Sequence, residues 1–393
     1  MLLDLTQALS KKPPSEISQC GGQCKLNKHC TGPIEPTIGT NGILIIADTP
    51  TEAEDSFGEG FLGTPGKRIK KVIKDAGVNP EECSFTYAVR CYGEHDDKSI
   101  ASCRIRLLKT IEKVNPHTIL LFGQTAVSSV LSYDYEKPAG SVNNWVGFQI
   151  PSRKFNAWLC PNYSITTPYH KEDPAMDLLF DRYITAALKH TKRPWEEIPD
   201  ETKEIEIVDS EEAVKRIQRY RQHGGMVAWD LETHSLKSDG PHAAIYSCSI
   251  CHMGKETISF LWDDNVQEAM RRLLQSGRTQ KIGANIKYET RYVKSIMGID
   301  IKGWVHDTVI AAHVLDCRPN ITSLKIQSYL RFGLPDYADH IKQYFKSDGS
   351  NSPNKIEQCD VKALLLYGGQ DSLLTYRIAV EQMREFGQPF PSN

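Results

Sequence analysis

Acidic side chains in the second half of the chain are spaced in a way that could hold a metal ion. Asp230 and Glu232 stand at i and i+2 where an apolar run ends, so in a β-strand both side chains point to the same face. Tyr367 and Asp371 stand at i and i+4, which places them on one side of a helix. Hard divalent cations prefer carboxylate oxygens. Acids in this pattern could therefore hold a divalent cation, and solvated acids at a strand end are the alternative for the first pair.

A second candidate metal site consists of cysteines in the first half. Cys20 and Cys24 form a C-x-x-x-C pair, and Cys91 and Cys103 flank a loop further along the chain. Four thiolates from two such pairs suit a [4Fe–4S] cluster. A structural zinc ion is one alternative, and buried thiols without a ligand are another. Cys30 is a further thiol that could replace a member of the first pair.

Alternating strands and helices must position these residues. In the first half, strands are predicted at 42–47, 84–89 and 118–122, with helices at 67–75, 100–114 and 126–131. In the second half, strands are predicted at 226–231, 244–251, 257–261 and 280–285, with helices at 265–275, 306–316, 323–331 and 361–383. This alternation is typical of α/β domains. Cys248 and Cys251 fall in one strand, where an offset of three sends the side chains to opposite faces, so we assign both to the core.

Length and composition restrict the class of protein. With 393 residues the chain is long enough for two domains of ~150 residues each. A segment rich in proline and charge at 192–204 is the predicted linker between domains at 1–191 and 205–393. The net charge of −2 excludes a globally basic nucleic-acid coat but not a local basic groove. We expect neither a membrane span, which needs ~20 apolar residues, nor a secretory signal. The odd number of cysteines, 11, argues against a disulfide framework and for a cytosolic protein.

The acidic and tyrosine motifs of the second half resemble the 3′–5′ exonuclease domain of family A DNA polymerases. They are similar to its DEDD type, with a tyrosine in the last motif. The segments that carry the resemblance, in the family's order, are AWDLET, GANIKYE, HDTVIAAHVLD and YGGQDSLLTY, within residues 205–385. One such motif is a weak signal, whereas four in series are a strong one.

This resemblance implies a ribonuclease H-like fold with a mixed sheet and a two-metal phosphodiester hydrolase. Two Mg²⁺ or Mn²⁺ ions activate a water molecule and stabilise the leaving 3′ oxygen in such sites. The metal ligands would be Asp230, Glu232 and Asp371, and Tyr367 would orient the attacking water. Glu289 stands where the family has aspartate, so it completes the catalytic set with a longer side chain. We therefore expect activity with a second metal site that is displaced or weakened.

The first half, over about residues 20–188, resembles the uracil-DNA glycosylase superfamily, most closely its iron–sulfur members. The segments that carry the resemblance are ADTPTEAED, GEGFLGTPG, FTYAVRC and LLFGQTA. The resemblance implies an α/β sandwich with a parallel central sheet. It also implies a cluster on Cys20, Cys24, Cys91 and Cys103, although the family's first pair is C-x-x-C.

The glycosylase-like pocket departs from its family at two positions. Asp48 occupies the place of the residue that positions water, and Phe61 that of the ring that stacks on a flipped base. Tyr87 replaces the asparagine that reads the uracil edge. Ser164 falls where the family has a catalytic histidine, for which His170 is an alternative. Because base excision needs both edge-reading hydrogen bonds and stabilisation of the leaving group, we expect the fold without uracil excision.

The two resemblances together imply a cytoplasmic DNA replication or repair protein, in the host cytoplasm if it is of phage origin. Its second domain would trim single-stranded or frayed 3′ ends, with a DNA polymerase subunit or domain as partner, as in phage polymerases with a glycosylase-like extension. DNA contacts are expected at Lys67 and Arg68 in the first domain and at Asn285 in the second. The alternatives are an active base-excision glycosylase fused to an exonuclease and a catalytically inactive scaffold for a polymerase.

Overall fold

Apolar runs form the strands of two separate sheets, and the chain divides accordingly into two compact units. A computed structural model describes Cys24, Leu26 and residues 32–170, 173–349 and 352–387. The first unit comprises residues up to 198 together with 332–335, and the second comprises 199–331 and the residues from 336 onward. The limits 1–191, 192–204 and 205–393 stay predictions.

The first unit has a mostly parallel sheet covered by helices. Its strands are β1 (Ile43–Ala47), β2 (Ser84–Tyr87), β3 (Thr118–Phe122), β4 (Ile150–Ser152) and β5 (Ala157–Asn162). Its helices are α1 (Glu52–Phe57), α2 (Thr64–Asp75), α3 (Asp97–Val114), α4 (Gln124–Asp134), α5 (Thr167–His170) and α6 (Pro174–Ala187). The strand order is β2-β1-β3-β5-β4, and only β4 is antiparallel to its neighbour. The predicted α/β class of this domain is confirmed.

The central strands of the first unit are buried along their whole length. Every residue of β1 and β3 is buried, as a parallel sheet with both faces covered requires. These continuous apolar runs are the reason that the sequence predicts β1 and β3 to within one residue. The prediction omits β4 and β5, because proline and asparagine interrupt their apolar pattern.

The second unit has a mixed six-stranded sheet. Its strands are β6 (Ile205–Ile207), β7 (Gly225–Thr233), β8 (Ile245–His252), β9 (Glu256–Leu261), β10 (Thr279–Gly283) and β11 (Trp304–Asp307). Its helices are α7 (Ser210–His223), α8 (Asp264–Leu274), α9 (Ile286–Met297), α10 (Thr308–Leu315), α11 (Leu324–Phe332) and α12 (Val361–Glu385). The order is β11-β10-β7-β8-β9-β6, in which β7, β8 and β9 are antiparallel neighbours and β10 and β11 run parallel to β7. This mixed order is that of a ribonuclease H-like sheet, as predicted.

The two faces of this sheet pack against different layers. Cys248 lies in one apolar cluster with Trp229 and Phe260, whereas Cys251 lies in another with Leu373 of α12. The two cysteines of β8 therefore face opposite sides of the sheet and belong to the core, which confirms the prediction from their spacing.

The start of α10 differs from the predicted helix at 306–316. His306 and Asp307 end strand β11 instead, and α10 begins at Thr308. The side chain of Asp307 accepts hydrogen bonds from the backbone N–H groups of Val309 (2.9 Å) and Ile310 (3.3 Å), which is the usual role of an N-cap.

Among the described residues, none of the helices combines the length and the apolar character that crossing a membrane would require.

Candidate functional site

Three carboxylates from two elements of the second unit converge on one point. Asp230 and Glu232 come from the end of β7, and Asp371 comes from α12. One oxygen of each lies within 4.8 Å of the others. Glu232 and Asp371 are buried, and Asp230 is half-buried. This is a compact set of hard oxygen ligands of the kind that divalent cations prefer.

Small side chains bring α12 close enough to the sheet to complete this group. The hydroxyl of Ser249 on β8 donates to the carbonyl of Gly368 (2.6 Å) and also contacts the Ser372 hydroxyl (2.6 Å). A Cβ atom on Gly369 would lie 2.4 Å from Ile205 Cγ2. This distance is too short for any residue other than glycine. The Y-G-G-Q-D segment therefore carries two functional side chains and a glycine that lets α12 pack closely against Ile205 of β6.

The electrostatics of the group also fit a cation. Burial, and then the charge of Asp371, raise the pKa of Asp230 to about 8. Burial likewise raises the pKa of Glu232 well above its usual value, with Asp230 adding to the effect. Carboxylates held close together in a dry site repel one another unless a proton or a cation lies between them. The donor set and its burial therefore fit divalent metal ions.

Glu289 is buried beside this group but is not part of the set within 4.8 Å. Burial and the nearby charge of Asp230 raise its pKa well above the usual value. Its Oε2 atom has no hydrogen-bond partner among the described residues. An orphaned buried carboxylate oxygen is the second feature of the site that fits a bound cation.

Helix α9 is set in place by a single acid on the neighbouring strand. Asn285 precedes α9 in the left-handed region (φ 68°) and has no side-chain cap of its own. Asp307 instead accepts from the N–H groups of Asn285 (3.1 Å) and Ile286 (3.0 Å). Asp307 thus fixes the first turns of both α9 and α10, and with them the direction of Glu289.

Two residues that the sequence analysis missed hold Asp371. The ammonium group of Lys325 and the hydroxyl of Tyr337 both bind Oδ1 of Asp371, and Lys325 also donates to the Tyr337 hydroxyl (3.0 Å). The Lys325 ammonium lies 4.4 Å from the centre of the Tyr367 ring, and Tyr367 also packs against Phe345 at 5.7 Å. No local motif marks Lys325, which lies 46 positions before Asp371.

Two residues of the predicted glycosylase-like pocket, Phe61 and Tyr87, pack directly against each other. The ring of Tyr87 stacks on that of Phe61 with centroids 4.8 Å apart and planes inclined by 20°. Its hydroxyl accepts from the Phe61 N–H (2.9 Å) and also bonds to buried Glu54. Tyr87 is 1% exposed. One face of the Phe61 ring, which the resemblance assigns to stacking on a flipped base, is thus in contact with Tyr87.

Asp48 caps a helix in this structure. Its Oδ1 accepts from the N–H groups of Thr125 (2.8 Å) and Ala126 (2.9 Å) at the start of α4. Burial raises the pKa of Asp48, and those two hydrogen bonds and nearby His95 oppose the rise. His95, which the sequence analysis did not select, contacts the Thr125 hydroxyl through Nε2 (2.8 Å). Ser164 lies half-buried just after β5, 3.3 Å from the Thr166 hydroxyl.

Three of the four predicted cluster cysteines lie together. Cys24, Cys91 and Cys103 are buried in one small group with Leu26 and Val89. Cys20 and Cys30 lie outside the described residues. These three cysteines come from distant parts of the chain, and cysteine is the residue type that holds iron–sulfur clusters. Among the described residues, the group whose ligand atoms lie close enough together for a single ion is the carboxylate group.

The two predicted DNA contacts on α2 have different surroundings. Lys67 is exposed. Arg68 is paired with Asp177 (2.6 Å) and Asp181 (3.0 Å) of α6 and lies 5.4 Å from the Phe180 ring. These contacts join α2 to α6, and a DNA contact by Arg68 stays a prediction. Asn285 is exposed and lines a cavity beside α9.

The two units described above each match the model of a known protein family. The model of the uracil DNA glycosylase superfamily matches residues 37–191, and that of the 3′–5′ exonuclease of family A DNA polymerases matches residues 205–385. Residues 37–191 therefore form a domain of the glycosylase superfamily, and residues 205–385 form a 3′–5′ exonuclease domain.

Individual relatives match parts of the chain. A type-4 uracil-DNA glycosylase of Thermotoga maritima is 27% identical over 112 residues, which is 27% of this chain and 58% of that protein. A DNA polymerase of Bacillus phage SP01 is 22% identical over 315 residues, which is 70% of this chain and 33% of the polymerase. The chain thus spans just over half of the first relative and a third of the second. Escherichia coli RNase D covers 47% of this chain, and 45% of its own, at a TM-score of 0.37 and 10% identity.

Proposed function

We propose that the second domain is a metal-dependent 3′–5′ exonuclease that acts on DNA. The observation that carries the proposal is the convergence of Asp230, Glu232 and Asp371 within 4.8 Å. A protein that served only as a scaffold would have no need for buried, mutually repelling carboxylates, which cost stability. The phage relative, a DNA polymerase, supports DNA as the substrate. We propose that this DNA is a single-stranded or frayed 3′ end, in the manner of a proofreading activity.

Each side chain of the site has a role in this proposal. Asp230, Glu232 and Asp371 would hold two Mg²⁺ or Mn²⁺ ions. Bound ions of this kind supply an activated water and stabilise the departing 3′ oxygen. Tyr367 would orient the attacking water, since the Lys325 ammonium, 4.4 Å from its ring centre, helps to fix that ring. Glu289 would contribute its charge from beside the three metal-binding carboxylates, because it lies outside the set that converges within 4.8 Å.

A mismatched duplex labelled at its 3′ end tests this proposal. With Mg²⁺ or Mn²⁺, the protein should release labelled mononucleotide faster from the mismatched end than from a fully paired one. Glu232→Gln should lose this activity, because it removes a charged ligand without changing side-chain size. Glu211→Gln is the matched control, since Glu211 is 81% exposed on α7 and should leave the rate unchanged. Equal rates for Glu232→Gln and wild type would contradict the site assignment.

We propose further that the first domain does not excise uracil and that it contributes DNA or partner binding. The stacking of Tyr87 on Phe61 supports this, because a base would have to displace a fully buried ring. The use of Asp48 Oδ1 to cap α4 supports it as well, because two backbone N–H groups already occupy that atom. The competing proposal is an active base-excision glycosylase.

Incubation with uracil-containing DNA separates these two proposals. A type-4 uracil-DNA glycosylase serves as the positive control under the same conditions. The protein should release no free uracil, while still binding the same DNA in a salt-sensitive manner because counterions are released on binding. Uracil release by wild type that is lost in Asp48→Ala would establish the competing proposal.

We also propose a [4Fe–4S] cluster on Cys20, Cys24, Cys91 and Cys103. The clustering of the last three supports it. Anaerobically purified protein should contain about four irons per chain. One zinc per chain in colourless protein would favour a structural metal ion instead.

A DNA polymerase, as a separate subunit or as further chain, is the proposed partner of this protein, supported by the phage polymerase relative.

A further inference from the structure

The ammonium group of Lys325, on α11, is enclosed by one of the three converging carboxylates and by two aromatic rings. It donates a hydrogen bond to Oδ1 of Asp371 and another, at 3.0 Å, to the hydroxyl of Tyr337. It also lies 4.1 Å from the centre of the Tyr337 ring and 4.4 Å from the centre of the Tyr367 ring. The side chain of Lys325 is 14% exposed, and that of Asp371 is 10% exposed. This ammonium is therefore held from several sides and largely removed from water.

The charge of this ammonium reaches the other two carboxylates as well. Burial, and then the neighbouring acids, raise the pKa of both Asp230 and Glu232, whereas the charge of Lys325 opposes each rise. Tyr337 also donates to Oδ1 of Asp371, but its hydroxyl contributes no charge. Of the three negative charges that converge within 4.8 Å, Lys325 thus offsets one.

The position of the ammonium does not depend on Asp371 alone. Cation–π attraction to Tyr337 and Tyr367 holds it over both rings. Its charge therefore stays beside the carboxylates when their oxygens bind another cation. Like charges repel strongly in a buried site, because the effective dielectric constant there is far below that of water. A divalent ion would thus bind these carboxylates less tightly with Lys325 present than without it.

We propose that Lys325 is a built-in counter-ion of the exonuclease site, which stabilises the three assembled carboxylates in the absence of divalent ions and weakens the binding of those ions. This inference rests on the proposed function of the second domain. Loss of the Lys325 charge should therefore have opposite effects on two measurements. It should lower the stability of the ion-free protein and raise its affinity for divalent ions.

Thermal unfolding of the full chain in EDTA tests the effect on stability. Lys325→Met removes the charge and keeps an unbranched apolar side chain between the two rings. Its Tm should fall by about 6–20 °C, because breaking a largely buried ion pair leaves one charge without its partner. Glu232→Gln, added to Lys325→Met, should restore roughly half of this loss, since it removes one of the charges that repel one another. In the wild-type background, the same change should give no such gain.

Mn²⁺ binding, followed by the electron paramagnetic resonance signal of the free ion, tests the effect on affinity. Lys325→Met should bind Mn²⁺ about tenfold more tightly than wild type, because a repelling charge is gone. Saturating Mn²⁺ should also remove most of the difference in Tm between this variant and wild type, since tighter binding to the folded form stabilises it more. A purely structural role of Lys325 predicts instead an equal loss of Tm in EDTA and in Mn²⁺.

Lys342→Met is the matched control, because it removes another ammonium from a buried acid of the same unit. Lys342 pairs with Asp336 (2.5 Å), whose side chain is 6% exposed, and with Asp339 (2.6 Å). Both acids lie outside the converging group. The control should therefore lose the same Tm in EDTA and in Mn²⁺, and it should bind Mn²⁺ as wild type does.

Failure of this proposal differs from failure of the proposed function. Weaker Mn²⁺ binding by Lys325→Met than by wild type, or a loss of Tm in EDTA that Glu232→Gln does not restore, would overturn the counter-ion. If wild type binds no Mn²⁺, the proposed metal site fails, and the EDTA comparison still decides on Lys325: restoration by Glu232→Gln supports the counter-ion, and no restoration overturns it. If wild type binds Mn²⁺ and hydrolyses DNA without that restoration, the counter-ion alone fails.

Discussion

Removing the ring of Tyr87 should open the pocket that it fills. In Tyr87→Ala, the stack against Phe61 at 4.8 Å is lost, and so is the acceptor of the Phe61 N–H. The expected result is a cavity lined on one side by the Phe61 ring, which a planar pyrimidine can enter. Wild-type protein, with Tyr87 in place, should not bind free uracil.

The magnitude follows from the burial of this side chain. Truncating a fully buried aromatic residue costs ~3–5 kcal/mol. At roughly 2–4 °C per kcal/mol for a domain of this size, the Tm should fall by about 6–20 °C. Free uracil at ten times its Kd would then restore about 1.4 kcal/mol, or roughly 3–6 °C, because it binds only the folded form.

Differential scanning calorimetry of the full chain, with and without 10 mM uracil, measures both effects. Tyr87→Phe is the control, because it keeps the ring and removes only the hydroxyl. It should lose ~1–3 kcal/mol for the unsatisfied Phe61 N–H and gain nothing from uracil. The reasoning is refuted if uracil stabilises wild type or Tyr87→Phe as much as it stabilises Tyr87→Ala, since the pocket would then be open already.

Three further predictions concern stability and metal content. Gly369→Ala should lower the unfolding free energy by ~1–3 kcal/mol, because its Cβ would lie 2.4 Å from Ile205 Cγ2. Gly368→Ala, whose nearest contact would be 3.6 Å, is its control and should lose nothing in denaturant titration. Burial lowers the pKa of Lys281 to about 8, so the unfolded state binds more protons above that pH and stability should rise towards pH 10. Lys281→Met should remove roughly 1–3 kcal/mol of that rise, and an unchanged pH profile would contradict it. Cys91→Ser should lower the iron content without loss of exonuclease rate, and full iron occupancy would exclude Cys91 as a ligand.

The sequence predicts features that depend on neighbours along the chain. Continuous apolar runs locate β1 and β3, and the i, i+2 and i, i+4 spacings place Asp230 with Glu232 and Tyr367 with Asp371. Such local spacing is independent of how the rest of the chain folds.

Features that depend on contacts between distant segments could not be predicted in this way. Lys325 reaches Asp371 across 46 positions, and Asp48 reaches Thr125 across 77. Arg68 forms ion pairs with two aspartates on α6 that lie more than 100 residues away, including Asp177 at a separation of 109. Basic residues on a helix indicate a nucleic-acid surface only after such internal partners are known.

The most direct test of the exonuclease account uses single-stranded DNA labelled at either its 3′ or its 5′ end. With Mn²⁺, labelled mononucleotide should appear at once from the 3′-labelled strand, while the 5′-labelled strand shortens in single steps. Chelation of the metal, or Asp230→Asn, should abolish both signals, because Asp230 lies within 4.8 Å of Glu232 and Asp371. Immediate release of mononucleotide from the 5′ end, or undiminished 3′ release by Asp230→Asn, would contradict the account.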